Sequence, residues 1–502
     1  MGSARRWPVL VVLLAAIIAG VALNHVGSAG PSAHAATPAQ ATSDAPTTAL
    51  SGSWFCAGGT AAPDSVASGE LVFANAGSTT VQGTVRLVSP IGYFRKMSVT
   101  VPPGATSTVV EQFVGLPRRA PRPWVGALVT LYGGMASVSQ VISTPEGSAS
   151  QPCASAASTH WYFVDGATLR NASDHISLLN PYPVDAIADL SFTTDQGQED
   201  PAAFEGVLVP ADGVTVVNLG SHLRIREHIA VTVTARTGQV VAFETELVTR
   251  PPSGANFEGP HQGLNPAAPV DGVTLALGAT QPSTSWWWPA GSDGNGLSES
   301  YIAYNPGPTA ARLSLVLLSQ GADSGVGSSS ELTVAPYGTA SVRTNGQPWA
   351  LPGIMYAVHL VSTNGVPVVA ERSVSATRPS SISGLGSLVG QSEPADNWLL
   401  PGTSAMAPTK HRGQVWLEVA NPGPKEAILN IEALNGKHLA QAVGIPPLGV
   451  RAGGRTGLEL PAGTAGEALV VKSSHPVVVE DDSWAIRPQS GVNFSPVVAL
   501  GN

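Results

Sequence analysis

The chain has 502 residues, of which 43% are hydrophobic and only 12% charged, so it is too apolar to remain unfolded and long enough for several domains with their own cores. A net charge of −9 with no run of basic residues excludes the electrostatic footprint of a nucleic-acid binder. The 55 Gly and 42 Pro point to short strands joined by many turns.

In chain order, residues 1–6 contain Arg5 and Arg6 and are expected to form a short cytoplasmic tail by the positive-inside rule. Residues 7–23, from Trp7 to Leu23, are all apolar, Pro or Gly, which reads as a signal-anchor or signal peptide. The segment is just long enough to span a bilayer. The favoured reading is an uncleaved, single-pass plasma-membrane anchor with the C-terminal part outside. The alternative is secretion after cleavage near Ala35, where Ala33-His34-Ala35 offers a small-x-small site. Residues 24–52 are dominated by Ala, Ser, Thr, Pro and Gly and read as a flexible stalk.

The remainder repeats one order of landmarks four times. Trp54, Trp161, Trp286 and Trp398 each open an apolar strand that leads to a small turn at Gly58, Gly166, Gly291 and Gly402. The next strand ends in Asn75-Ala76-Gly77, Asn180-Pro181-Tyr182, Asn305-Pro306-Gly307 and Asn421-Pro422-Gly423. Asn at that place can bond its own backbone two residues on. Then come Val101-Pro102-Pro103-Gly104, Val209-Pro210-Ala211-Asp212-Gly213, Val334-Ala335-Pro336-Tyr337-Gly338 and Ile445-Pro446-Pro447-Leu448-Gly449. A late hairpin is expected at Gly134, Gly238, Gly365 and Ser474, followed six places on by Gln140, Glu244, Glu371 and Glu480. Val81, Gly83, Val85 and Leu87 alternate with Gln82, Thr84 and Arg86, and Val415, Leu417 and Val419 with Trp416 and Glu418, which predicts strands with one face buried and one wet. The repeat length matches one β-sandwich. The fold class expected is therefore all-β: four tandem Ig-like β-sandwich domains over 53–158, 159–284, 285–396 and 397–502, following the N-terminal transmembrane or signal segment and the stalk. Tracts Ser143 to Ser158 and Arg250 to Ser285 read as exposed connections.

The Trp-aromatic openings, the Asn-Pro-Gly and Val-Pro-Pro-Gly turns, and Pro367-Val368-Val369-Ala370-Glu371 and Pro476-Val477-Val478-Val479-Glu480 together resemble an exported actinobacterial family of unknown function, DUF5719. The turn pattern also resembles Ig-like domains of the ASPM, SPD-2, Hydin type. The resemblance covers roughly 53–502 and implies an envelope-associated β-repeat protein with no assigned activity.

Few residues suggest chemistry. Cys56 and Cys153 are the only cysteines and, in an exported chain, are expected to form a disulfide. No Gly-x-Ser-x-Gly elbow, Ser-x-x-Lys pair or His-Glu-x-x-His is present, so no catalytic residue, metal site or cofactor is assigned. His222, Arg224, Arg226, Glu227 and His228 read as a solvated face, and Ser292-Asp293-Gly294-Asn295-Gly296 as a turn rather than a calcium loop. Glu244, Glu371 and Glu480 occupy one sequence position in three repeats and read as strand-end contacts. Trp286, Trp287 and Trp288 are candidates for ligand stacking, because a strand alternates its faces; packing against a neighbouring domain is the competing reading. The function expected is non-enzymatic: a membrane-anchored array for interaction or spacing outside the membrane, with envelope proteins as partners. Alternatives are binding of cell-wall polysaccharide, or a glycan-processing site between domains.

Overall fold

The computed structural model describes residues 50–500 except 61–67, 91, 93, 111–123, 250–269, 295, 320–328, 348–349, 351–352, 403–412, 437–438, 443, 462–466 and 486–491. The expected tail, the apolar segment 7–23, the cleavage site near Ala35 and most of the stalk lie outside the described residues. Among the described residues no helix is long and apolar enough to cross a membrane.

These residues are all-β, with two single-turn 3-10 helices at Ala202–Phe204 and Leu219–Ser221. The strands fall into four sets. Repeat 1 has β1 (Gly52–Thr60), β2 (Ser68–Asn75), β3 (Val81–Val88), β4 (Phe94–Val101), β5 (Ala105–Val110), β6 (Trp124–Tyr132), β7 (Ala136–Thr144) and β8 (Gly147–Pro152). Repeat 2 has β9 (His160–Gly166), β10 (Ala172–Asn180), β11 (Ala186–Thr194), β12 (Gly197–Glu199), β13 (Val207–Val209), β14 (Gly213–Asn218), β15 (Ile229–Thr237), β16 (Val241–Val248) and β17 (Gly272–Leu277). Repeat 3 has β18 (Ser285–Trp288), β19 (Leu297–Asn305), β20 (Ala311–Ser319), β21 (Ser329–Val334), β22 (Gly338–Arg343), β23 (Tyr356–Ser362), β24 (Val369–Ala376) and β25 (Gly384–Val389). Repeat 4 has β26 (Ala395–Leu400), β27 (Gly413–Ala420), β28 (Ala427–Leu434), β29 (Leu439–Gln441), β30 (Leu448–Val450), β31 (Arg455–Glu459), β32 (Leu469–Ala485), β33 (Val492–Pro496) and β34 (Val498–Ala499).

Each repeat makes two sheets in one order. Repeat 3 shows it plainly, as β21-β20-β23-β18 and β22-β19-β24-β25, and repeat 2 repeats it as β12-β11-β15-β9 and β14-β10-β16-β17. In repeat 1 the sheets β4-β3-β6-β1 and β5-β2-β7-β8 are joined by one parallel pairing, Thr60 opposite Ser68. In repeat 4 the long β32 serves both sheets, Leu469–Ser473 pairing with β28 and Val478–Ala485 with β27. Ser474, expected at a hairpin turn, therefore sits inside a continuous strand.

Two recurrent side chains hold this frame. Trp161, Trp286 and Trp398 are buried and donate their indole N–H to the carbonyls of Val240, Val368 and Val477, at 2.7, 2.8 and 3.1 Å, which ties the opening strand to the start of the late strand. Asn75, Asn180, Asn305 and Asn421 are fully buried, and each Oδ1 accepts from the backbone N–H two residues on, that of Gly77, Tyr182, Gly307 and Gly423. Each Nδ2 donates to the carbonyl four residues on and to a strand-end valine, Val101, Val209, Val334 or Val450. This clamp corrects one alignment. In repeat 4 the turn equivalent to Val-Pro-Pro-Gly is Val450 to Gly454, and Ile445-Pro446-Pro447 comes before it.

Alternation holds in β3, where Val81, Val85 and Leu87 are buried and Gln82 is exposed. It fails at Glu418, expected on a wet face and buried instead, because both faces of β27 are covered.

The repeats close on one another. Strand β8 lies against β17 and β33, and β25 lies against β17 and β33, so the last strand of each repeat's second sheet meets those of its two neighbours. Apolar clusters fill the seams: Ala57, Leu128 and Ile142 with the repeat 2 core, Val164 and Ala230 with the repeat 3 core, Trp287 and Leu318 with Ala420 and Val478, and Ala74 and Ala76 with Leu399 and Val470. The last seam joins repeat 4 back to repeat 1. An extended array is thereby replaced by a closed ring, within one compact body covering residues 40–502. Residues 250–269 of the tracts read as exposed connections lie outside the described residues. The rest carries β8 and β17, edge strands of their sheets that lie against strands of neighbouring repeats. Small residues on both sides serve close approach, as at Gly272, whose Cβ would sit 2.7 Å from Leu385. A Cβ at Gly58 would sit 2.2 Å from Leu275, and one at Gly386 within 2.8 Å of Val492 and Phe494.

Candidate functional site: buried ionic junctions between repeats

Pairing register redistributes the late-strand acids. Leu71 pairs with Gln140, Ile176 with Glu244, Tyr301 with Arg372 and Leu417 with Asp481, so these four polar residues are equivalent. Glu371 and Glu480 pair with Ile302 and Glu418, one place off. Counted from the residue that pairs with the opening tryptophan, Glu244 lies 11 places after Val233 and Arg372 12 places after Leu360, and a one-residue slip sends a side chain to the opposite face. Gln140, Glu244 and Arg372 thus face their own opening strand, where Gln140 Oε1 accepts from Gly58 N at 2.9 Å and Arg372 donates to the Ala290 carbonyl. Glu371 and Glu480 face the preceding repeat.

At the seam of repeats 3 and 4, Arg372 Nη2 lies 2.5 Å from Glu480 Oε1 and 3.6 Å from Asp482 Oδ1, and its Nε lies 3.9 Å from Glu299 Oε1. Its guanidinium stacks 4.0 Å over the Phe494 ring. Tyr356 donates to Glu299 Oε2 at 2.6 Å, and Arg455 pairs with Glu418. All these carboxylates and guanidinium groups are buried. Two cations thus meet five acids once Asp481 is included. Burial raises Glu299 to about 7 although Arg372 pulls it down, and burial together with Asp482 raises Asp481 to about 7. Burial opposes the charge of Arg372, yet Glu480 and Asp482 keep it protonated. A cavity of about 20 Å³, lined by Glu299, Arg372, Asp482 and mainly apolar neighbours such as Val374 and Phe494, adjoins the cluster.

At the seam of repeats 2 and 3, Asp174, Glu244, Glu246 and Glu371 are buried, and among the described residues no lysine or arginine is bonded to them. Asp174 and Glu244 converge on Gly166, whose missing Cβ would lie 2.1 Å from Asp174 Oδ2 and 2.9 Å from Glu244 Oε1. Burial raises all four, Glu371 to about 8. Among the described residues no group of three His, Cys, Asp or Glu is placed to hold a metal ion.

The other sequence candidates are accounted for individually. Cys56 and Cys153 are joined, with S–S 2.01 Å, and both are buried. Trp286, Trp287 and Trp288 are 4%, 9% and 0% exposed, which leaves no indole face open as a stacking platform. Both faces of β18 are covered: Trp288 lies edge-on to Tyr301, and Trp287 stacks on His359 at 3.6 Å in the seam to repeat 4. Arg226 pairs with Glu199 at 2.5 Å, His228 with Asp165 at 2.7 Å, and His222 lies edge-on to Phe204. Asp293 Oδ1 accepts from Asn345 at 2.8 Å, and Asn295 lies outside the described residues. Sequence reading missed Asp174, Glu299, Arg372 and Arg455. Of these only Glu299 carried a signal, as the one ionic residue of its strand in a chain with 12% charge; Arg372 stands beside Glu371, Asp174 beside His175, and Arg455 in a strand with Glu459.

Comparison with known proteins finds the family described as "Family of unknown function (DUF5719)" over residues 134–277 and 271–481. The chain belongs to this family. No curated protein matches. Among solved structures, the Thermotoga maritima 1070 crystal structure is 21% identical, with 22% of this chain and 95% of that one covered, at a TM-score of 0.20. A tetra-tandem repeat from the extending region of a large adhesion protein is 9% identical, covering 84% of this chain and 91% of that one, at 0.10. A glycoside hydrolase family 32 protein from Bifidobacterium adolescentis is 9% identical, covering 86% and 99%, at 0.13. Superpositions this loose carry no argument about fold or activity. The DUF5719 match spans the second and third repeats whole and the seam between them, and ends at 481, before Asp482 and Phe494 of the seam between repeats 3 and 4.

Proposed function

We propose that this DUF5719 chain is a non-enzymatic protein of the cell envelope, in which a four-repeat ring is held outside the membrane by the segment at 7–23 and presents a surface to other envelope proteins. The observation that carries the reading is the buried Cys56–Cys153 bridge, since a disulfide persists in an oxidising compartment and is rare where thiols are kept reduced. The arginine-flanked apolar segment and the small-residue tract after it supply attachment and reach. Side chains that could serve an active site are engaged in the interior instead. Arg372 joins two repeats, and Gln140 fixes the turn after the first tryptophan strand. The polysaccharide alternative rested on Trp286, Trp287 and Trp288, which are packed.

The test is the chain with a C-terminal tag in intact cells. Protease added outside should remove the tag, the remainder should sediment with membranes, and thiol labelling under denaturing, non-reducing conditions should find no free cysteine. A protected tag, or two free thiols, contradicts the proposal.

A further inference from the structure

We propose that the seam between repeats 2 and 3 is a proton-operated latch, closed while Asp174, Glu244, Glu246 and Glu371 share protons and loosened when they ionise. The argument begins with satisfaction. Oε1 of Glu244 and Oε2 of Glu371 are buried and find no hydrogen-bond partner among the described residues, and the buried Asp174 carboxylate has only the backbone N–H of its neighbour His175 beside it. Buried acids in that state are tolerable only as neutral or proton-sharing groups, because an unpaired buried charge costs several kcal/mol or more. The second, independent observation is that the set bridges two repeats. Glu371 comes from β24 of repeat 3, yet accepts from the backbone N–H of Val164 in repeat 2 as well as from Ser387, while Asp174, Glu244 and Glu246 come from β10 and β16.

Among the described residues the cation beside the set is His228, which Asp165 raises to about 9, and it is bonded to Asp165 rather than to any of the four acids. Strand β9 contributes Asp165, a further acid, whose partner His228 is more than half exposed and stands beside Glu227 and Asp195. His175 of β10 packs at a tilt against Trp124 instead, and burial keeps its ring neutral at physiological pH. Strands β17 and β25 carry no titratable residue, and Arg372 of β24 faces repeat 4. Each proton lost therefore adds negative charge that no bonded cation opposes. The seam is otherwise held by apolar packing, including Val164 and Ala230 against the repeat 3 core, and by neutral hydrogen bonds between Thr232 and Tyr304 and from Thr193 to the Tyr337 carbonyl. The seam gives first, and the strands that line it, β9 and β24, open to solvent with it.

The test uses the full-length protein in hydrogen exchange read by mass spectrometry, corrected for intrinsic rate, at about pH 5.5 and about pH 8.5. Peptides covering β9 and β24 should lose about tenfold protection at the higher pH while a peptide covering β3 in repeat 1 does not change. Glu244→Gln with Glu371→Gln, which keep shape and remove charge, should hold protection at both pH values. If that pair does not fold, Glu371→Gln alone is read the same way. Protection independent of pH in the natural chain, a loss equal in β3, or a loss undiminished in the Gln variant overturns the proposal. So does full recovery at about pH 8.5 with added calcium or magnesium, which would make the seam a cation site.

Discussion

Arg372 in repeat 3 and Glu480 in repeat 4 stand 2.5 Å apart with both side chains essentially inaccessible to water, so the charge of each is compensated across a seam between repeats. Such a pair is costly to break from one side only. Arg372→Met should destabilise the folded chain by about 3–5 kcal/mol, since Glu480, Asp482 and Glu299 lose their shared cation. Arg372→Met combined with Glu480→Gln should cost less than the sum of the two, in a denaturant-melt double-mutant cycle. Strict additivity would mean that the pair is not coupled.

The asparagine clamp makes a second prediction. Asn305 donates to Thr309 and Ala335 at 2.8 and 3.1 Å and accepts from Gly307 at 3.0 Å, which ties its own turn to the one that follows Val334. Asn305→Ala leaves buried carbonyls without a donor and should cost about 2–4 kcal/mol, and Asn305→Asp should be no better because a carboxylate cannot donate. Full stability of the Asp variant would contradict the clamp.

At the tryptophan triplet, Trp286→Ala and Trp288→Ala should each cost about 3–5 kcal/mol, as truncation of a buried indole does. Trp287→Ala should also destabilise, through loss of its stack on His359. Thermal melts check all three. A Trp287→Ala protein with unchanged melting but lost retention on cell-wall glycan would restore the platform reading.

Stability should also depend on pH in the direction opposite to that of an ordinary salt-bridged acid. Asp481 titrates near 4 when unfolded and is raised to about 7 when folded, by burial first and by Asp482 second, and burial does the same to Glu299. Between those values the folded chain holds protons that the unfolded chain has released, so stability falls as pH rises from about 4 to about 7. Asp481→Asn should flatten that slope while leaving the low-pH stability near that of the natural chain. An unchanged slope would show that Asp481 does not contribute.

Much of this architecture was readable as sequence because it rests on local rules. Asn180-Pro181-Tyr182 and its counterparts announce their own turns, and Trp161, Trp286 and Trp398 mark the opening strands. Closure was not readable, because it depends on which strand edges meet. Tracts rich in Gly, Ser and Ala around β8 and β17 look like connections until packing shows that small residues let edge strands of neighbouring repeats approach. Register was the other loss. A single extra residue before β24 moves Glu371 to the far face, and counting from glycines cannot detect it. The ionic seams were invisible for the same reason, since Arg372 and Glu480 are 108 residues apart and meet only once the ring has formed.

Ring closure is the claim on which the seams, the ion pair and the latch all depend, and small-angle X-ray scattering of residues 40–502 tests it most directly. A closed body of that length should show a radius of gyration of about 22–25 Å. Four sandwiches strung in a row, each about 13 Å in radius of gyration and spaced by their own diameters, would give about 45 Å, and a value near that would contradict the account.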